Sequence, residues 1–274
     1  MPRLYAKAQR ELAEERDRQM EQGISDLKAL LASKKDGNFD SVKSQVMSRL
    51  DEMIAASDRM LQKFQVPDDG WDFGREKSYP VFAEGATLRL RPFADGDERL
   101  YYEIRESYKI FEKNVPDAEM IAVYWSETQR GSAFYCVVQR VSDSEKLGYI
   151  ALKDTSKDVW EVAIELLPAY CGRGYGTEAI PLFLNRVRAI TEKDQYQFVV
   201  EVDNIPCQRC MEKIRARLTG VVNLVFDDPE RAERFEEDNL DLISNRIEEL
   251  ALELGIEPRK LLSHVLDYRL CLWD

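Results

Sequence analysis

The stretch that decides the reading is Trp160-Glu-Val-Ala-Ile-Glu-Leu-Leu-Pro-Ala-Tyr-Cys-Gly-Arg-Gly-Tyr-Gly-Thr-Glu-Ala-Ile180. A strand runs up to Pro168, a turn carries three alternating glycines (Gly172, Gly174, Gly176), and a helix begins at once. Glycines at such a turn let the backbone approach a ligand and leave amide N–H groups unobstructed. The helix start adds unbonded N–H donors and the positive end of its dipole. Together these make a cradle for a pyrophosphate. No Gly-Lys-Ser/Thr follows, so this is not a nucleotide-triphosphate loop, and the Gly-x-Gly-x-x-Gly spacing of dinucleotide folds is absent. Taken alone, the turn would serve equally as a tight structural corner.

Working outward, Leu88 and Leu90 alternate with Arg89 and Arg91 in a strand that Pro92 closes, and a helix is expected over 95–107. Residues 134–139 and 147–152 read as strands joined by a polar turn at 142–146. Strand 159–166, helix 176–190, strand 198–202, helix 206–217 and strand 221–226 follow. Asp227 and Asp228 precede Pro229, a favourable helix start, and an acidic helical segment continues to Gly255. Leu266, Tyr268, Leu270 and Leu272 then alternate with Asp267, Arg269, Cys271 and Trp273 as a last strand. The helices before it, at about 227–262, therefore read as an insertion. Strands interleaved with helices predict an α/β or α+β sheet domain and exclude a bundle.

Upstream, no proline interrupts the chain between Arg3 and Gln65, and helix-favouring residues dominate. The segment 34–40 suits a break. After it Val46, Leu50, Met53, Ile54, Met60 and Leu61 recur at helical steps, giving one apolar face that must be covered. The expected layout is a helical extension over 1–65, a linker over 66–78, and a sheet domain over 79–274 containing the insertion.

The net charge of -12 over 274 residues argues against a nucleic-acid binder, which needs clustered Lys and Arg. It permits a cationic acceptor. No apolar run is long enough to span a membrane, so no membrane partner is expected. The N-terminus lacks the apolar core of a secretory signal. Five cysteines, an odd number set in apolar or motif-like stretches, suit a reducing cytoplasm.

The central stretch resembles the acetyl-CoA motif of the GNAT superfamily of N-acetyltransferases, and is similar in particular to its ribosomal-protein N-terminal acetyltransferase branch. The matching residues are Leu166, Pro168, Tyr170, Gly172, Arg173, Gly174, Tyr175, Thr177, Glu178 and Ala179. Thr87 to Pro92 resembles the family's opening strand, Gly148-Tyr149-Ile150 the strand before the motif, and Asn204-Ile205-Pro206-Cys207 with Glu212-Lys213 its Asn-x-x-Ser…Glu-Lys segment. The resemblance spans roughly 79–273 and departs at Cys171, at Pro181, and at Ile214 to Leu218, where the family has Gly-Phe.

The resemblance implies a mixed, mostly antiparallel GNAT sheet flanked by helices. It implies transfer of acetyl from acetyl-CoA to a primary amine, a protein N-terminus or a small polyamine-like acceptor, by direct attack. Backbone N–H groups of Gly172, Arg173, Gly174, Tyr175 and Gly176, with Thr177, would hold the pyrophosphate. Leu166 and Leu167 would meet the pantetheine, with a Leu167 N–H facing the thioester, and Asn204 would bond the pantetheine arm. Glu161 is the expected base, with Glu165 four residues on as the reserve, and each is equally readable as a solvated strand glutamate. Cys207 stands where the family's Ser is the proposed acid, or is a small buried residue. A metal at Cys207-x-x-Cys210 is not expected, because a second ligand pair is missing. His264 is the only histidine and lacks partners in the sequence. The competing function is a non-catalytic acyl-CoA-binding or interaction protein on the same fold. The added helices would cap the acceptor side or form a homodimer contact.

Overall fold

The computed structural model describes residues 70–107, 125–126, 128–222, 226 and 228–272, with positions 18, 22, 23 and 25. The chain divides into two compact units, Gln9–Val66 and the unit holding Pro67–Asp274. Arg18, Gln22, Gly23 and Ser25 are helical; the rest of the expected extension lies outside the described residues.

The second unit begins with a short helix α1 (Gly74–Lys77), then β1 (Ala83–Glu84), β2 (Leu88–Pro92) and α2 (Glu98–Ser107). Strands β3 (Phe134–Arg140), β4 (Lys146–Asp154) and β5 (Trp160–Leu166) follow, then α3 (Tyr175–Thr191), β6 (Gln195–Val200) and α4 (Ile205–Lys213). The chain ends through β7 (Arg217–Val222), α5 (Pro229–Asp238), α6 (Asn245–Leu254), α7 (Lys260–Ser263) and β8 (Val265–Cys271). One sheet takes the order β1-β2-β3-β4-β5-β6-β8-β7. Only β5 and β6 run parallel, because the α3 crossover returns the chain to the same end of the sheet.

Strict alternation sorts the two faces. Leu88, Leu90, Phe134, Leu152, Trp160 and Val162 are buried, and Phe183 of α3 packs against Phe82 and Phe134. Phe73, in the stretch read as a linker, is fully buried here, stacked on Phe134 at 4.5 Å. On the opposite face Leu100, Tyr101 and Ile104 of α2 pack on Tyr135, Val137, Tyr149 and Ala151.

Asp97 starts α2 and fastens it to the sheet. It is 2% exposed and accepts two bonds of 2.9 Å from Arg91, one of 2.7 Å from Lys146 and one from the Ala94 N–H. Burial alone would raise its pKa, but the Arg91 and Lys146 bonds prevail and hold it below the usual carboxylate range.

The expected boundaries shift on either side of α4. It stops at Lys213, four residues earlier than the pattern predicts, and β7 begins correspondingly earlier, at Arg217. Arg215 turns left-handed (φ 63°) and the Ala216 N–H returns to Met211 O, which closes the helix. The insertion before β8 is held together internally: Glu236 of α5 is fully buried, accepts Ser263 Oγ at 2.6 Å and pairs with Lys260 of α7 at 3.1 Å.

Candidate active site

The parallel seam between β5 and β6 is short. Only Trp160–Tyr196 and Glu161–Gln197 pair, after which β5 runs on to Leu166 and β6 to Val200 without partnering each other. The sheet therefore opens into a wedge at its centre. On the other side β5 stays tied to β4, and the Leu167 N–H donates to Leu147 O at 2.9 Å. This corrects the expectation that the Leu167 N–H faces a thioester, since the ladder takes it. The alternation of an antiparallel ladder turns the main-chain groups of Leu166 and Ile164 toward the wedge instead. Gly148 permits this close pairing: a Cβ there would stand 2.2 Å from Glu165 O.

At the mouth of the wedge a single 3-10 turn (Pro168–Tyr170) leads into the glycine corner. Gly172 and Gly174 have φ of 73° and 88°, and nothing lies within 4 Å of where their Cβ atoms would be. Gly174 caps α3 without any side-chain bond. The first N–H groups of α3 thus have no side-chain cap, and an anion cradle requires such unbonded donors. Gly176 faces inward, where a Cβ would lie 3.5 Å from Cys210 Sγ. The Thr177 hydroxyl is 3.6 Å from the same sulfur, so it is engaged with α4. The corner is braced by Tyr170 OH donating to Glu145 (2.8 Å) and by Arg140 donating to Tyr175 OH (3.4 Å). The Arg173 guanidinium stands 6.0 Å over the Tyr170 ring.

Glu161 and Glu165 project from the α2 face of β5, as their spacing predicts, and each meets a cation that the sequence reading did not single out. Lys153 of β4 is 3.1 Å from Glu161, and Arg105 of α2 is 3.6 Å from Glu165. Burial opposes both cations, but Tyr149 and Glu165 keep Arg105 charged, and Glu161 with Glu165 raise Lys153. The second oxygen of Glu165 is buried with no hydrogen-bond partner among the described residues.

Asn204 caps α4 by accepting from the Cys207 N–H at 3.2 Å, and its amide donates to Glu201 at 3.2 Å. Both ends of the amide are therefore used within the protein. Burial, then Cys210 and Glu201, push the Cys207 thiol up to about 12. Donation from such a thiol to a departing thiolate of pKa ~8.5 would run uphill by about 5 kcal/mol. This moves Cys207 toward the packing role and away from the acid role. Glu201 is the residue that sequence reasoning missed. Burial raises its pKa, and Glu165 and Asp203 add to that against the Asn204 bond. Its signal was a lone acid closing the apolar run of β6, directly before Val202-Asp203-Asn204.

Elsewhere, a cavity of 390 Å³ lies between α4 and α6, lined by Ile205, Gln208, Arg209, Glu212 and Arg246. His264 Nδ1 lies 2.8 Å from Ser263 Oγ and 2.9 Å from Lys260 O, beside the Glu236 knot. The five cysteines are free thiols. Among the described residues no His, Cys, Asp and Glu group is arranged to hold a metal ion, and no helix is long and apolar enough to cross a membrane.

Comparison with known proteins returns one family. Residues 87–217 match the acetyltransferase (GNAT) domain. No curated protein matches the chain. Among solved structures, a GNAT-family acetyltransferase from Bacillus anthracis is similar at 17% identity, covering 70% of this chain and 99% of that one, with a TM-score of 0.48. Mutant forms of the spermidine/spermine N-acetyltransferase SpeG from Vibrio cholerae align at 15% identity, covering 68% and 94%, with a TM-score of 0.46. RimL, a ribosomal alpha-N-protein acetyltransferase, aligns at 12% identity, covering 70% and 93%, with a TM-score of 0.47. Residues 87–217, which hold the glycine corner and the wedge and make up just under half of the chain, are thus similar to the GNAT acetyltransferase domain, a domain of transferases.

Proposed function

We propose that this protein transfers acetyl from acetyl-CoA to a primary amine by direct attack, the acceptor being a protein N-terminus or a small polyamine-like cation. The observation that carries the reading is the open glycine corner of Gly172 to Gly176 at the start of α3, set at the mouth of the β5–β6 wedge. The N–H groups of Arg173 to Thr177 would hold the pyrophosphate, and the β5 edge at Ile164 and Leu166 would pair with the pantetheine arm. Acidic groups on the α2 face would attract the cationic amine, Glu161 and Glu165 being the nearest on β5. The net charge of -12 favours a cationic acceptor.

A second reading, an acyl-CoA-binding protein without turnover, is favoured by two features. The base implied by the family resemblance, Glu161, is tied to Lys153, and the acid so implied, Cys207, is too weak a donor. One assay separates the two: acetyl-CoA binding by calorimetry beside thiol release over spermine, an aminoglycoside and a peptide with a free N-terminus. Release with one of these supports transfer and names the acceptor class. Binding without release from any favours the second reading, and absence of binding overturns the cradle itself.

A further inference from the structure

We infer that Glu201, at the open end of β6, is the proton acceptor for the attacking amine; this rests on the acetyl-transfer reading above. The register shows why it stands in the right place. Glu161 of β5 pairs with Gln197 of β6 on the same face of the sheet. Four residues further on come Glu165 in β5 and Glu201, the residue directly after β6, which faces Glu165 across the opening of the wedge. The two walls of the opening thus carry a carboxylate each at the same depth.

Their surroundings divide the work. Glu161 has Lys153 and Glu165 has Arg105, and a carboxylate held by a cation is a poor base. No Lys or Arg pairs with Glu201 among the described residues, and its carboxylate accepts from the Asn204 amide. It faces Glu165 of β5, Asp203 of the following turn and Cys207 of α4. Burial, with Glu165 and Asp203, raises its pKa, the direction that makes a carboxylate a better base. The strand end that bears it is also held firmly. Gln208 of α4, 1% exposed, donates to Val202 O at 2.7 Å and Glu201 O at 3.5 Å, while accepting from Arg246 of α6 at 3.1 Å. The insertion helix therefore reaches the wedge through one buried amide.

In the step assigned here, one ammonium proton passes to the Glu201 carboxylate and on to solvent. The freed nitrogen pair attacks the thioester carbon, forming the C–N bond. A second N–H proton then passes through the same carboxylate to the sulfur, which leaves with the electron pair of the broken C–S bond. The products are the acetamide, the thiol and one proton in solution. A single carboxylate beside both Asn204 and Cys207 can serve both transfers, which removes the need for a separate acid.

The test compares wild type, Glu201→Gln, Glu201→Asp and Glu161→Gln, using the panel amine that turns over. Gln keeps the size of the carboxyl and can still accept from Asn204, so folding and acetyl-CoA affinity should hold within about threefold while kcat/KM falls roughly 10²- to 10⁴-fold. The wild-type rate should drop as pH falls through a pKa above the usual carboxylate range, and that limb should disappear in Glu201→Gln. Glu201→Asp should restore part of the rate, and Glu161→Gln should lose less than about tenfold. A Glu201→Gln rate within about threefold of wild type, an unchanged acid limb, or loss of acetyl-CoA binding along with the rate would each overturn the assignment. A wild type that binds acetyl-CoA but acetylates no amine would instead remove the transfer reading, and this assignment with it.

Discussion

Arg215 illustrates what a single residue can conceal. It sits at φ 63°, a conformation that costs an L-residue roughly 1–2 kcal/mol and glycine almost nothing. The family resemblance places Gly-Phe after the Lys213 helix, and Arg215-Ala216 stands there instead. The chain reverses there, with Ala216 buried and its N–H on Met211 O. Arg215→Gly is therefore expected to stabilise the protein by about 0.5–1 kcal/mol, less than the full strain because glycine also loosens the unfolded chain. Chemical denaturation would show it as a higher midpoint with an unchanged slope. A lower midpoint would mean that the arginine side chain contributes more than its backbone costs.

Among the elements, β4 and β5 decide whether a wedge exists at all. The pairing of Gly148 with Leu166 is so close that a methyl on residue 148 would collide with Glu165 O at 2.2 Å. Gly148→Ala should push the end of β5 away from β4, displacing Glu165 and the edge proposed for the pantetheine. The expected result is a loss of acetyl-CoA affinity of tenfold or more, roughly 1.4 kcal/mol, with the cradle glycines intact. Calorimetric titration would measure it, and unchanged affinity would show that β5 shifts without harm. The glycine corner and the strand and helix on either side of it were legible beforehand, because Gly172, Gly174 and Gly176 follow an alternating strand and precede a helical run. Glu161 and Glu165 were legible as one face of that strand for the same reason. Their cations were not. Arg105 comes from a helix sixty residues upstream and Lys153 from the neighbouring strand, and only tertiary register brings them to the carboxylates. Glu201 escaped notice for a similar reason: its placement depends on a two-residue parallel seam, which no local pattern encodes.

Over the whole molecule, the acetyl-transfer reading makes charge the guide for a cationic acceptor. The protein carries -12, and the α2 face of the wedge adds Glu161, Glu165 and Glu201 against Arg105 and Lys153. Such a field raises the encounter rate of a cation and repels the anionic donor, and salt weakens both effects. Screening reaches ~10 Å at 0.1 M salt and ~3 Å at 1 M, so exposed charges across the wedge stop acting together over that range. With spermine as acceptor, kcat/KM should fall about tenfold between 0.03 M and 0.3 M salt, the lower end of what steering contributes. The apparent affinity for acetyl-CoA should rise slightly over the same range. A singly charged amine should respond far less than spermine, because each added charge multiplies the attraction. Equal, shallow salt dependence for spermine and a monoamine would mean that the acidity serves solubility and that acceptor choice rests on contacts inside the wedge. A steep dependence for spermine alone would make charge itself part of the specificity, with the carboxylates of β5 and β6 as its inner end.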